Sequence, residues 1–111
     1  MTAPRIYVAG PLTHGGVDAN VANAIDAGQR LLGAGAHPFV PHLHMQWERV
    51  YPNDYEVWMG LVMGWLRCCD AIVRLPGHSP GSDREVALAG EIGIPVFYSV
   101  DDALVWIGEA G

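Results

Sequence analysis

A chain of 111 residues suits one domain, 1–111, large enough to bury a core without disulfide staples. Half of its residues are hydrophobic, only 16% are charged, and 14 glycines and 8 prolines punctuate it, which describes a compact globule with tight turns and excludes a disordered chain. The formal net charge of −6 excludes a basic footprint for a nucleic-acid polymer, so the partner to expect is a small molecule.

Arg5 to Ala9 is rich in β-branched and aromatic residues and stops at Gly10-Pro11, which predicts a first strand followed by a loop. Asp18 or Asn20 is placed to cap a helix whose apolar positions Val21, Ala24, Ile25, Leu31 and Leu32 fall mostly on one face, ending at Gly33 to Gly35. His37 to Val40 reads as a second strand. The segment from Pro41 to Tyr55 reads as a long aromatic connection, a candidate lid or base-recognition loop carrying His42, His44 and Trp47. From Asp54 or Tyr55 to Arg67, apolar residues at helical spacing predict an amphipathic helix with Trp58 and Trp65 turned inward.

Cys68 and Cys69 are adjacent, and helical neighbours point about 100° apart, so they are read as buried thiols of a reducing compartment and not as a bridge. No apolar run is long enough for a signal peptide or a membrane span, and the expectation is a cytoplasmic protein. Apolar helix faces bearing Trp58, Trp65 and Trp106 suit self-association into a homo-oligomer, and a buried core explains them equally well.

The most informative stretch runs from Asp70 to Phe97. It predicts a buried strand (Ala71 to Leu75), a turn rich in Gly, Pro and Ser, a helix opening near Ser82, and a further strand (Pro95 to Tyr98). Ser99 and Asp102 then open a short closing helix, Ala103 to Ile107. Strands alternating with helices predict a three-layer α/β sandwich around a parallel sheet of about four strands, in flavodoxin-like order 2-1-3-4. That order sets the loops after Ala9 and Leu75 face to face at the switch point, where ligands bind in such sheets.

Glu85 stands in the helix that follows that turn. Ser82-Asp83-Arg84-Glu85 has the form of a capping box, in which Glu85 reaches back to the Ser82 amide; equally, a carboxylate in a first helical turn facing a crevice can act as a nucleophile, its ionised form favoured by the helix dipole. Both readings stand on local sequence. Tyr7, mid-strand, is either an ordinary strand aromatic or a buried phenol in need of a partner, for which the crevice carboxylate is a candidate. Ser79, Gly81 and Ser82 lie in a turn whose amides can converge on an anion at a helix N-terminus, although a solvated turn closed by Ser and Gly for geometry alone is the favoured reading of the local sequence; Gly10, Pro11 and Gly77 belong to the compact loops beside it. His42 and His44 form an H-x-H pair without a third ligand at a recognisable spacing, so no metal is expected, and nothing calls for a cofactor.

The ordered set I-Y-V-A-G-P-L, C-D-A-I-V-R-L-P-G, S-P-G-S-D-R-E-V-A-L-A and G-I-P-V-F resembles the nucleoside 2-deoxyribosyltransferase superfamily, and within it the small deoxyribosyltransferase-like branch related to deoxynucleoside 5′-monophosphate N-glycosidases. The resemblance runs from Ile6 to about Phe97. It implies a flavodoxin-like fold, with Glu85 as the nucleophile that attacks an anomeric carbon, Tyr7 orienting it, and Asp70 placing or protonating the leaving base. It also implies a 5′-phosphorylated substrate, because Ser79 stands where transferases acting on free nucleosides carry an aspartate, and a carboxylate there would repel a phosphate. The enzyme so implied cleaves the N-glycosidic bond of a nucleoside or nucleotide, as hydrolase or transferase. The rival reading is a non-catalytic nucleotide-binding or sensing module of the same fold.

Overall fold

Side chains alternate across a strand, and the first strand sorts the molecule into two faces. In the computed structural model, which describes residues 2–110, β1 (Arg5–Ala9) buries Ile6, Tyr7, Val8 and Ala9 completely. It is followed by α1 (Val17–Gly33), β2 (His37–Phe39), a 3₁₀ turn (Pro41–His44), α2 (Met45–Val50) and α3 (Tyr55–Leu66). Then come β3 (Ala71–Arg74), α4 (Pro80–Ile92), β4 (Val96–Phe97) and α5 (Val100–Ala110). The four strands are parallel in the order β2-β1-β3-β4, with Tyr7 opposite Phe39 on one side and Ile72 on the other. This is the α/β sandwich and strand order that the sequence predicts.

Ile6 and Val8 of β1 and Ala71 and Val73 of β3 point to one side, where they pack with Ala24, Ala27 and Leu31 of α1 and Val100, Ala103 and Ile107 of α5. Tyr7, Ala9 and Ile72 point to the other, against Met59, Val62 and Leu66 of α3 and Leu88 and Ala89 of α4. Continuous apolar runs in β1 and β3 are what central parallel strands covered on both faces require.

Five local expectations are corrected. Cys68 is exposed and Cys69 only partly buried, so the two free thiols are not the buried pair expected. Helix α1 is capped by neither Asp18 nor Asn20: its N-cap is Gly16, and Asn20 instead donates to the carbonyls of Leu12 and His14, tying down the preceding loop. Its inward face is small, Ala24, Ala27, Gly28 and Leu31, because the helix rides close on β2: a Cβ on Gly28 would lie 2.9 Å from Val40 Cγ2. Ile25 and Leu32 are therefore left about half exposed, at 46% and 53%. The connection from Pro41 to Tyr55 is largely helical, made of the 3₁₀ turn and α2. Trp65 does not point inward; it is exposed and stacks on Phe39 at the β2 edge, ring centroids 5.9 Å apart, while Met59, Val62 and Leu66 supply the buried face of α3. Helix α3 is apolar nearly all round, so periodicity did not distinguish two faces about one residue apart. Among the described residues no helix is long and apolar enough to cross a membrane.

Candidate active site

Tyr7 is held in a central strand bonded on both sides, so its phenol projects from the α3/α4 face at a fixed height. Opposite it runs α4, and the start of that helix decides what Tyr7 meets. Ser79 is the N-cap: its Oγ accepts the Ser82 amide at 3.1 Å and donates to Ser82 Oγ at 2.8 Å, and Pro80 occupies the first helical position. A serine cap followed by proline is a standard helix opening. The capping-box reading is thereby corrected. Glu85 lies in the second turn, too far along to reach back to the N-cap amide, and its side chain accepts a hydrogen bond from the Tyr7 hydroxyl instead.

Both partners are out of water, Glu85 6% exposed and Tyr7 not at all. Burial pushes the Glu85 carboxyl up to about 7, against the opposing pull of the Tyr7 hydrogen bond and of the positive Arg74 and Arg84. The helix dipole does not keep it low, because that field fades beyond the first turn. Burial, and next the negative charge of Glu85, hold the Tyr7 phenol far above its ordinary range, so Tyr7 is a neutral donor. Arg74, at the end of β3, donates to the carbonyls of Leu75 and Gly77 and pairs with Asp83 at 3.2 Å, which fixes the β3–α4 loop beneath the helix start.

Glu85 opens on a cleft of about 670 Å³ at the carboxyl ends of the strands. Its loop-side wall carries Gly10, Thr13 and His14 from the β1–α1 loop and His78, Ser79, Gly81 and Ser82 from the β3–α4 loop and the start of α4. The two loops meet as expected: His14 and His78 pack edge to face at 5.1 Å. Gly77 has φ +118°, and a Cβ there would lie 2.7 Å from Pro11 Cγ, so only glycine lets the loops close. The opposite wall is aromatic and apolar, with His44 stacked on Trp58 at 5.6 Å beside Met45, Met59 and Val62. Four of the five histidines line the cleft.

The structure thus brings together Glu85, Tyr7, Gly10, His42, His44, Ser79, Gly81 and Ser82, seven of them lining the cleft and Tyr7 reaching it through Glu85. Pro11 and Gly77 form the loop contact instead of the cleft wall. His42 lines the cleft, but its Nε2 lies 3.2 and 3.1 Å from the carbonyls of Gly10 and Pro11, so it donates to them and clasps the β1–α1 loop; burial lowers its pKa and keeps it neutral. Trp47 is about half exposed and packs edge-on against Trp58 outside the lining. Asp70 is a correction. It precedes β3 at the amino end of the sheet, where it accepts the Arg5 amide at 2.8 Å and pairs with the Arg5 guanidinium at 3.4 Å, and those contacts hold its carboxyl below the usual range. The strands separate it from a cleft at their opposite ends, so it cannot act on a leaving base.

Sequence reasoning missed Glu48 and Tyr55, which also line the cleft. A Cβ on Gly81 would meet the Tyr55 hydroxyl at 2.9 Å, so glycine in the first turn of α4 leaves room for that ring. Neither residue lies in a local motif; α2 and α3 carry them in from a distance. Among the described residues no cluster of three or more His, Cys, Asp or Glu side chains is arranged to hold a metal ion.

In structure the chain resembles the 2-desoxiribosyltransferase from Leishmania mexicana, with a TM-score of 0.64 at 21% identity over 84% of this chain. It spans 61% of that protein's length, and the likeness establishes a shared deoxyribosyltransferase-like fold. Comparison with curated protein sequences finds no match. A family model does match, that of the domain of unknown function DUF4406, over residues 4–98, a span that holds all four strands and every residue lining the cleft. The chain belongs to the DUF4406 family.

Proposed function

We propose that the protein cleaves the N-glycosidic bond of a (deoxy)nucleoside or its 5′-monophosphate, as an N-glycosidase or 2-deoxyribosyltransferase, with Glu85 as nucleophile. The observation that carries this is the buried Glu85–Tyr7 pair at the floor of an open cleft. A buried carboxyl whose one side-chain partner is a neutral phenol is held in place without being neutralised by an ion pair, and an activated, oriented carboxylate is what covalent glycosyl transfer needs.

In the reaction the ionised Glu85 carboxylate forms a bond to the anomeric carbon as the bond from that carbon to the base nitrogen breaks, through an oxocarbenium-like transition state. The base leaves with the bonding electron pair. Water or a second base then displaces Glu85, releasing free sugar or a new nucleoside. Tyr7 stabilises the ionised nucleophile before attack. His44, whose buried Nδ1 has no partner among the described residues, is the group available to hydrogen-bond the departing base. The start of α4 and the exposed His14 and His78 offer donors to a 5′-phosphate, with the Ser79 hydroxyl committed to its cap.

A panel of nucleosides and 5′-monophosphates assayed for free base tests this. Release of base by the wild type, reduced about 10³-fold or more in Glu85→Gln, supports the assignment. Tight nucleotide binding without release would make the protein a binding module, and a Glu85→Gln variant at full activity would remove Glu85 from the mechanism.

A further inference from the structure

We infer that Glu48 is a specificity-determining residue of the cleft, an anionic acceptor that selects a base bearing an exocyclic amino group. This takes from the proposed function only that the cleft holds the base of a nucleoside.

The cleft is lined by two carboxylates, Glu85 on one side and Glu48 of α2 on the other. Glu48 is half-buried and held by two donors: the Asn53 amide lies 3.0 Å from each of its oxygens, and Trp58 Nε1–H donates to Oε2 at 3.0 Å. A carboxylate oxygen offers about two acceptor positions. Oε2 uses both and Oε1 uses one, so Oε1 keeps an acceptor position and, as a carboxylate oxygen, has no hydrogen to donate. Trp58, which donates to Oε2, is stacked on His44, and Met45, Met59 and Val62 line the same cleft, a wall suited to a flat heteroaromatic ring. A ring against that wall gains a charge-assisted hydrogen bond if its edge carries an amino group, and meets a repelling lone pair if its edge carries only acceptors.

The same geometry predicts what a neutral isostere does. In Glu48→Gln the Trp58 donor, which bonds Oε2 alone, requires the new amide to set its oxygen there, where the Asn53 amide also reaches it, and this leaves the NH₂ at the position that Oε1 held. The acceptor becomes a donor. A merely structural role, tying α2 to α3, would not change which base is preferred.

Adenine and unsubstituted purine differ by the amino group alone, and their binding as free bases, measured by calorimetry, is the test. The expected result is that the wild type binds adenine about tenfold or more tighter than purine, and that in Glu48→Gln the ratio falls to about one or inverts. Equal binding of the two by the wild type, an unchanged ratio in the variant, or no binding of either base overturns the inference. The wild-type comparison stands whether or not the variant folds. Base release from nucleosides is assayed separately, so an amino preference without turnover would keep Glu48 in its role while removing the proposed activity.

Discussion

The two faces of this sheet are built from the same strands and do different work. On the α1/α5 side, Ile6, Val8, Ala71 and Val73 meet small and branched residues in a core without a charged member. On the α3/α4 side, the same strands place Tyr7 and, through α4, a buried carboxyl among apolar neighbours. Burying an ionisable group opposes stability unless it is paired or neutral. The candidate site lies on one face, and the other supplies the stability that tolerates it.

Breaking the quiet face gives the largest stability loss. Leu31→Ala, at a fully buried position against β1 and β3, is expected to cost about 2–5 kcal/mol in denaturant unfolding while leaving base release per folded molecule unchanged. On the working face the sign reverses. Burial pushes the folded Glu85 carboxyl up to about 7 from an ordinary 4.5, so the unfolded chain ionises first: stability is fully present below about 4.5, falls as pH rises, and levels off above 7. Glu85→Gln removes that loss. It is expected to match the wild type at pH 4.5 and to exceed it by up to about 3 kcal/mol at pH 8; a pH-independent difference would mean that burial is not what shifts Glu85. Base release in the wild type should correspondingly rise through pH 7, as the nucleophile ionises.

Tyr7→Phe sharpens the contrast. The Tyr7 hydrogen bond pulls the Glu85 carboxyl down, so its loss raises the midpoint of the pH–rate profile and lowers kcat/KM about 10–100-fold at pH 7, with part recovered at higher pH. Ser79→Ala, which removes the cap of α4, should cost about 1 kcal/mol of stability. Asp70→Asn is the smallest change, below about 1 kcal/mol because its partner Arg5 is solvent-exposed, and base release should be unaffected. A large loss of activity in Asp70→Asn would contradict its place at the amino end of the sheet.

The sheet was legible because its strands are short apolar runs bounded by Gly and Pro, and the order 2-1-3-4 follows from the alternation of strands and helices. The meeting of the two loops and the Tyr7–Glu85 pair followed from that order. What escaped was rotation and reach. Ser79-Pro80 carries the signal of a cap followed by a first-turn proline, yet Ser82 with Glu85 three residues on imitates a capping box, and the two cannot be ranked from local pattern alone. The inward face of α3 was missed because its residues are apolar on every side. Glu48 and Tyr55 enter the site only through packing of α2 and α3. Asp70 was misplaced because its expected role rested on the resemblance alone: a residue that precedes a strand of a parallel sheet lies at the amino end, away from a cleft at the carboxyl ends.

The cap at Ser79 also makes the orientation of Glu85 a matter of counting. Each helical residue turns the chain by about 100°, so a single residue inserted between Ser79 and Glu85 would swing the carboxylate roughly a quarter turn away from Tyr7. The same residue inserted before Ser79 would only lengthen the loop and leave the helix in phase. Length variation is therefore tolerable ahead of the cap and prohibitive behind it, and the six residues from Pro80 to Glu85 act as a ruler with the proposed nucleophile at its far mark.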